Sequence, residues 1–239
     1  MMGLPCVVRA ATPSNRVVMG AIGVGNKGSL DLREFLARRD VQVRAVCDVD
    51  ARARNAAKAR VDAHYGDTGC MATADFRDII AREDIDAVLV ATPDHWHAIP
   101  VIEAVRTGKH VFCQKPLSYN VAEGRMMVEA VRRHGVVFQH GTQRRGMRAY
   151  AFVCGLARNG YLGKLKRIYA AAPAGQGHGD PTPVPVPRWL DYDRWLGPAP
   201  FVPYTKNRTY RFSWYFTHIY RICFTIRRQQ SIVQPHKQR

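Results

Sequence analysis

The stretch VVMGAIGVGNKG, residues 17–28, decides the fold. Val17 to Ile22 reads as a buried strand, and Gly23, Gly25 and Gly28 follow it directly in a G-x-G-x-x-G run. In a strand–loop–helix unit each glycine has its own task. Gly23 permits the tight turn out of the strand. Gly25 brings no side chain to hold a pyrophosphate off the backbone, and Gly28 lets the next helix, roughly residues 26–37, pack close to the sheet. Asn26, Lys27 and Ser29 at that helix start offer backbone amides and a positive dipole end to phosphates. Asp48, twenty residues past Gly28, closes a second apolar strand, Val41 to Cys47, where its carboxylate can accept both hydroxyls of an adenine ribose. Glycines also end ordinary strands, and acids cap helices such as the one from Asp50. The full set of strand, spacing, helix and acid favours a dinucleotide site, with NAD ahead of NADP. Arg52 and Arg54 keep NADP open, because either can pair with a 2′-phosphate.

Outward from this unit, strands and helices alternate. The patterning predicts helices over 51–63, 73–82, 98–107 and 121–134, and strands over 85–91, 110–113 and 136–139. Ile85 to Ala91 is a continuous apolar run of the kind buried on both faces of a parallel sheet. The expected fold is α/β, a Rossmann-type doubly wound parallel sheet followed by an incomplete α+β substrate domain. The expected organisation is an N-terminal segment 1–14, a dinucleotide-binding domain 15–141, the start of a substrate domain 142–213, and a basic tail 214–239. A helix over 150–158 and a strand over 165–172 open the substrate domain, and 181–187 is a proline-rich loop.

Composition narrows the class. The 239 residues are 46% apolar with no run of membrane-span length, so a soluble globular protein is expected. Six cysteines show no C-x-x-C pair and no metal spacing, so no metal is expected. The formal charge of +17 invites a nucleic-acid partner, but nine basic residues follow the last acid, Asp193; residues 1–193 carry 27 Lys and Arg against 19 acids. Spread over helix faces, that charge reads as solvation, and no nucleic acid is expected. Met1 to Thr12 lacks a basic start and a full apolar core for export. As written, the chain is expected in the cytoplasm, with a periplasmic location if a longer signal precedes it.

Ligands of such sheets bind beyond the carboxyl ends of the strands. Three polar clusters fall there: Thr92-Pro93-Asp94-His95-Trp96-His97, Gln114-Lys115-Pro116, and His140-Gly141-Thr142-Gln143-Arg144-Arg145. The segments IGVGNKG, VATPDHWHA, GKHVFCQKPL, FQHGTQRR, NGYLGKLK and DYDRWLGPAP, in that order, resemble the Gfo/Idh/MocA family of nicotinamide-dependent sugar oxidoreductases over about residues 15–212. The Lys-Pro pair after GKHV is the most specific item.

The resemblance implies an NAD(P) cofactor, a sugar or polyol substrate and hydride transfer between them. It implies that Lys115 is the active-site lysine, polarising a carbonyl or relaying a proton, and that Thr92 and Pro93 border the cofactor with Gly23, Gly25, Asn26, Lys27, Gly28, Asp48 and Lys115. His95, His97 and Arg144 stand as substrate contacts; helix capping and surface charge are the plain alternatives. Gln114 stands where the family more often has glutamate, which removes a carboxylate from that position. Neither histidine has partners at zinc spacing.

The family continues into a long open sheet with a downstream acidic and histidine-bearing motif, and this chain ends before it. Residues 217–239 hold no acid and no glycine, as a shifted or early-ended reading frame would produce, so His218 is not taken for the missing histidine. The expected activity is therefore weak or absent, with a non-catalytic dinucleotide-binding fragment as the alternative and a basic nucleic-acid module behind both. The family forms homo-oligomers through the open sheet. Its loss makes the oligomer doubtful here and solubility poor.

Overall fold

The computed structural model describes residues 16–164, 166–167, 180, 182–206 and 208–209. The N-terminal segment 1–14, residues 165 and 168–172 of the expected substrate-domain strand, His218 and the basic tail lie outside the described residues.

The chain forms two compact units, residues 1–140 and 141–239. In the first, β1 (Val17–Ile22), α1 (Asn26–Leu36), β2 (Val41–Cys47), α2 (Ala51–Tyr65), β3 (Met71–Thr73), α3 (Phe76–Ile80), β4 (Ala87–Val90), α4 (Ala98–Arg106), β5 (His110–Gln114), α5 (Val121–His134) and β6 (Phe138–Gly141) follow in order. The strands lie as β3-β2-β1-β4-β5-β6. The pairings of β1 with β2 and β4, of β2 with β3, and of β4 with β5 are parallel. Chain order therefore reverses direction between β1 and β4, which opens a crevice at their carboxyl ends.

Period-two alternation splits the core across the sheet. Val18, Ile22, Val88 and Val90 pack with Ile79, Val101, Val105 and Met127 on the α3–α5 face. Met19, Ala21, Val43 and Leu89 pack with Leu32, Leu36, Ala57 and Val61 on the α1–α2 face. Caps set the helix starts: Asp50 accepts the Arg52 and Ala53 amides, Asp75 that of Arg77, and Asn120 that of Glu123.

Two expectations are corrected. Residues 73–82 are not one helix: β3 comes first, with Met71, Ala72 and Thr73 opposite Ala45, Val46 and Cys47. Three residues carry no readable period, and the Asp75 cap starts α3 only at Phe76. The last strand also sits later than 136–139, at Phe138–Gly141, although the Val137 carbonyl still accepts the Val111 amide at 2.9 Å.

The second unit contributes a 3-10 turn at Gln143–Gly146, α6 (Arg148–Arg158) and α7 (Tyr192–Leu196). The Asp191 carboxylate caps α7, and Tyr192 lies between Trp195, stacked at 5.8 Å, and Tyr204 at 5.3 Å. Residues 182–187 have no regular structure. No helix among the described residues is long and apolar enough to cross a membrane.

Candidate functional site

The loop from β1 to α1 shows which glycines the protein itself needs. Gly23 has φ +80°, and a Cβ there would lie 2.7 Å from the Ala91 and Thr92 backbone. A Cβ on Gly28 would lie 1.8 Å from the Gly23 carbonyl oxygen, so α1 sits on the loop with no room for a side chain. Gly25 differs: a Cβ would meet only the Asp48 carboxylate at 3.6 Å and Ala53 at 3.8 Å, both ordinary contacts. Its φ is −76°, open to any residue. Nothing in the protein requires glycine there, which leaves the space above it for something that is not protein.

The α1 start is prepared in the same way. Unlike α2, α3 and α5, it has no side-chain cap, and its first turn holds no acid. Asn26 holds φ +32°, a left-handed conformation asparagine tolerates better than most residues. Lys27 pairs with Asp31 one turn on, and Ser29 Oγ accepts from the Arg60 guanidinium at 3.2 Å.

Asp48 is placed at the β2 end as expected, but its carboxylate is already engaged. Oδ2 accepts the amides of Val24 at 2.9 Å and Gly25 at 3.0 Å, and Oδ1 accepts that of Asp50 at 2.9 Å. Burial pushes its pKa up, against the pull of these three amides. The acid thus shapes the glycine loop, a task sequence spacing does not reveal. Arg54 donates to the Asp48 carbonyl at 2.7 Å, and Arg52 pairs with Asp50 at 3.2 Å.

Beyond β4, Pro93 leads into a 3-10 turn, Asp94–Trp96, which fills the gap before α4. His95 is 5% exposed and His97 1%. The His97 ring spans two carbonyls, with Nδ1 2.7 Å from Pro116 O and Nε2 2.9 Å from Thr92 O. Only the protonated ring donates to both, while burial lowers its pKa. Both His97 nitrogens lie against backbone carbonyls, and the ring clamps the chain beyond β4 to the chain beyond β5.

Lys115 follows β5 directly, exposed, with a cis peptide bond to Pro116. Its backbone is held from the other side by Gln114, whose Oε1 accepts the Lys115 amide at 3.2 Å and whose Nε2 donates to Asp31 at 2.6 Å. Gln114 and Asp31 are both buried, 3% and 7% exposed. A glutamate at 114 would set two carboxylates against each other, so the departure from the family's residue fits this neighbour. Sequence reasoning misses Asp31, whose partner lies 83 residues away.

It also passes over Asp94 and His140. Asp94 is 2% exposed, and burial pushes its carboxyl up to about 7 against the opposing charge of Lys115. Among the described residues, Thr92 Oγ1, Asp94 Oδ2 and His140 Nε2 are buried atoms without a hydrogen bond. Buried polar atoms are rarely left so in native proteins, and strain, a catalytic role, or a bound water or ion are the usual reasons. Arg144 belongs to the second unit, exposed, its guanidinium 5.2 Å from the Tyr150 ring centre. Cys47, Cys70 and Cys113 are buried thiols; burial holds Cys70 near 11 and Cys113 near 12. No group of three or more metal-ligating side chains occurs among the described residues.

Comparison with known proteins gives two family matches: an oxidoreductase family with an NAD-binding Rossmann fold over residues 17–142, and the C-terminal alpha/beta domain of such oxidoreductases over residues 172–218. The oxidoreductase YrbE of Bacillus subtilis (strain 168) is 31% identical over 150 residues, 63% of this chain and 42% of that protein. A glycosyl hydrolase family 109 protein of Saccharopolyspora erythraea is 39% identical over 130 residues, 52% of this chain and 28% of its own length. The chain thus spans less than half the length of these relatives. Among solved structures, myo-inositol 2-dehydrogenase from Lactobacillus plantarum superposes with a TM-score of 0.56 at 28% identity, covering 62% of this chain and 43% of that one. Scyllo-inositol dehydrogenase from Lactobacillus casei with bound NAD(H) and scyllo-inositol gives a TM-score of 0.56 at 24% identity over 62% and 42% of the two chains, a likeness of fold.

Proposed function

Because the chain belongs to the Gfo/Idh/MocA oxidoreductase family, we propose that it binds NAD along the β1–α1 loop and transfers hydride between the nicotinamide and a hydroxyl or carbonyl carbon of a sugar or polyol. The observation that carries this reading is Gly25, the loop glycine that no protein contact demands. A pyrophosphate lying there meets the uncapped start of α1. NAD is preferred to NADP because Asp48 ends β2 beside the loop, and the two arginines that could hold a 2′-phosphate are turned to Asp50 and to the Asp48 carbonyl. The named polyol dehydrogenase among the structural neighbours supports a cyclic polyol as substrate.

When bound, the nicotinamide supplies the hydride acceptor or donor. This chain's residues do the rest. Lys115 holds the reacting oxygen and moves its proton. The Gln114 and His97 contacts fix the Lys115-Pro116 backbone, so that the ammonium swings from a held base. Thr92 Oγ1 borders the nicotinamide end of the crevice, and His95 and Arg144 remain the candidates for substrate contact.

The test is calorimetric titration of the full chain with NADH and NADPH, followed by myo-inositol oxidation with NAD. NADH binding at least about tenfold tighter than NADPH is expected, with Lys115→Met losing turnover by far more than it loses NADH affinity. Failure to bind either nucleotide overturns the reading; binding without turnover in the parent chain selects a cofactor-holding fragment.

A further inference from the structure

A run of side-chain contacts ties the residue after β5 to α1, and its inner member, Asp31, has no task in the scheme above. Lys27, Asp31 and Phe35 stand four residues apart and so share one stripe of α1. Phe112 and Gln114, two apart, share one face of β5. The two rows meet. The Phe35 and Phe112 rings lie edge to face at 5.5 Å, and one turn nearer the start of α1 Gln114 Nε2 donates to Asp31 Oδ2 at 2.6 Å. Asp31 Oδ1 takes the Lys27 ammonium, so the buried charge is paired while Oδ2 is left to Gln114. Gln114 passes the hold on, because its Oε1 accepts the Lys115 backbone amide at 3.2 Å. The Gln114 amide can face only one way between these partners: the carboxylate accepts and the backbone N–H donates. An apolar pair in place of Asp31 and Gln114 would hold α1 on β5 at least as stably. What the polar pair adds is direction, since a hydrogen bond fixes an angle where apolar contact fixes only proximity.

We propose that Asp31 is a positioning residue for the reaction: acting through Gln114, it fixes the Lys115 main chain relative to α1, the helix whose start is assigned to the pyrophosphate. This rests on the hydride-transfer reading of the site. The strut Lys27–Asp31–Gln114–Lys115 runs from the first turn of the cofactor helix to the lysine, entirely through printed side-chain and backbone contacts within one compact unit. It sets the span between the phosphate seat and the reacting end of the crevice. Hydride and proton transfer are steep in that span, and a displacement of about 1 Å lowers a rate on the order of 100-fold. The Gly25 loop, which would carry most of the nucleotide's hold, does not depend on the strut. Asp31 is therefore read out in kcat and not in NADH affinity.

The strut is tested first without cofactor or substrate. In proton–nitrogen NMR of the full chain labelled at lysine nitrogen, the Lys115 backbone amide is assigned by the signal lost in Lys115→Met. It is expected to move upfield in Asp31→Leu and to stay near its parent position in Asp31→Asn, whose side-chain carbonyl still accepts from Gln114. An amide that Asp31→Leu leaves in place overturns the proposal whether or not the chain turns over. In myo-inositol oxidation Asp31→Leu is expected to lower kcat about 10- to 100-fold with NADH affinity within about threefold, and Asp31→Asn to restore most of the rate. Gln114→Glu is expected to lose kcat relative to the parent as pH rises, because two carboxyls bridge only while they share a proton. An Asp31→Leu enzyme that keeps the parent kcat overturns the proposal, and so do equal losses in Asp31→Leu and Asp31→Asn. Loss of NADH binding in the parent chain is a separate outcome: it removes the hydride-transfer reading, while the Lys115 amide still decides whether Asp31 seats the lysine.

Discussion

At the amino end of the sheet, the buried Lys109 donates to the carbonyls of Arg82 at 2.6 Å and Ile85 at 2.9 Å, and the Asp86 carboxylate accepts the Val18 amide at 2.8 Å. At the carboxyl end, Thr92 Oγ1, Asp94 Oδ2 and His140 Nε2 are buried with no hydrogen bond. The two ends share the same strands and similar side chains. One end has matched its polar groups to each other; the other holds polar groups that no described residue matches. The two lysines flanking β5 condense the contrast: Lys109 is 5% exposed and spent on backbone, while Lys115 is exposed and its charge opposes the upward push of burial on the Asp94 carboxyl. Stability is thus built at the amino end and the proposed ligand chemistry falls at the carboxyl end, so substitutions at the two ends should move different observables.

The largest expected effect tests whether Asp94 is held against its folded environment. Its carboxyl is raised from 3.8 to about 7, so between those values the folded chain keeps a proton that the unfolded chain has lost. Stability conferred below pH 4 is therefore lost as pH rises toward 7, by on the order of 4 kcal/mol. Asp94→Asn should remove this slope, read as denaturant midpoints of the two proteins between pH 4 and 7. Parallel curves would show that the carboxyl end is as well matched as the amino end.

Next, Gly28→Ala should cost about 3 kcal/mol, because its Cβ would meet the Gly23 carbonyl oxygen and neither backbone can retreat. Thermal unfolding reads this directly. Lys109→Met should follow at about 2 kcal/mol, since two buried carbonyls lose their donor while the aliphatic stem is kept. Lys115→Met, its counterpart at the other end of β5, should leave the unfolding midpoint nearly unchanged. Equal losses at the two lysines would erase the distinction between the ends.

How far this could be read in advance follows from the range of each signal. Strand, glycine run and Asp48 lie within 32 residues and announce themselves through local sterics and spacing, and the alternation of apolar residues places the helices and most strands. β3 escapes because three residues are too few to show a period, and its place is set by pairing with Ala45 to Cys47. The inner lining of the site escapes for a different reason. Asp31 meets Gln114 across 83 residues, and no local pattern distinguishes it from an acid that merely pairs with Lys27 on a helix surface. His97 shows the reverse: its position in a polar cluster signals a ligand contact, and only three-dimensional placement reveals two carbonyls around its ring. Gln114→Glu probes that hidden layer. It should cost about 1 kcal/mol, moderated by Lys27, and the loss should deepen as rising pH strips the proton the two carboxyls would share.

The smallest stability effect is expected at Gly25, where it sharpens the comparison most. Gly25→Ala adds a methyl group that meets only the Asp48 carboxylate and Ala53 at ordinary distances, at a φ of −76° that alanine adopts freely. Replacing glycine also lowers the entropy of the unfolded chain, so the net change should stay within about 0.5 kcal/mol, with stabilisation the favoured sign. The same methyl group points into the space reserved above for a pyrophosphate, and NADH affinity should fall about tenfold or more. Gly28→Ala and Gly25→Ala, three residues apart in one loop, would then separate the two demands on it: packing at one glycine, and close approach of a ligand at the other. If Gly25→Ala binds NADH as the parent does, the loop's third demand is not a nucleotide, and the polar atoms left open beyond β4 call for a different occupant.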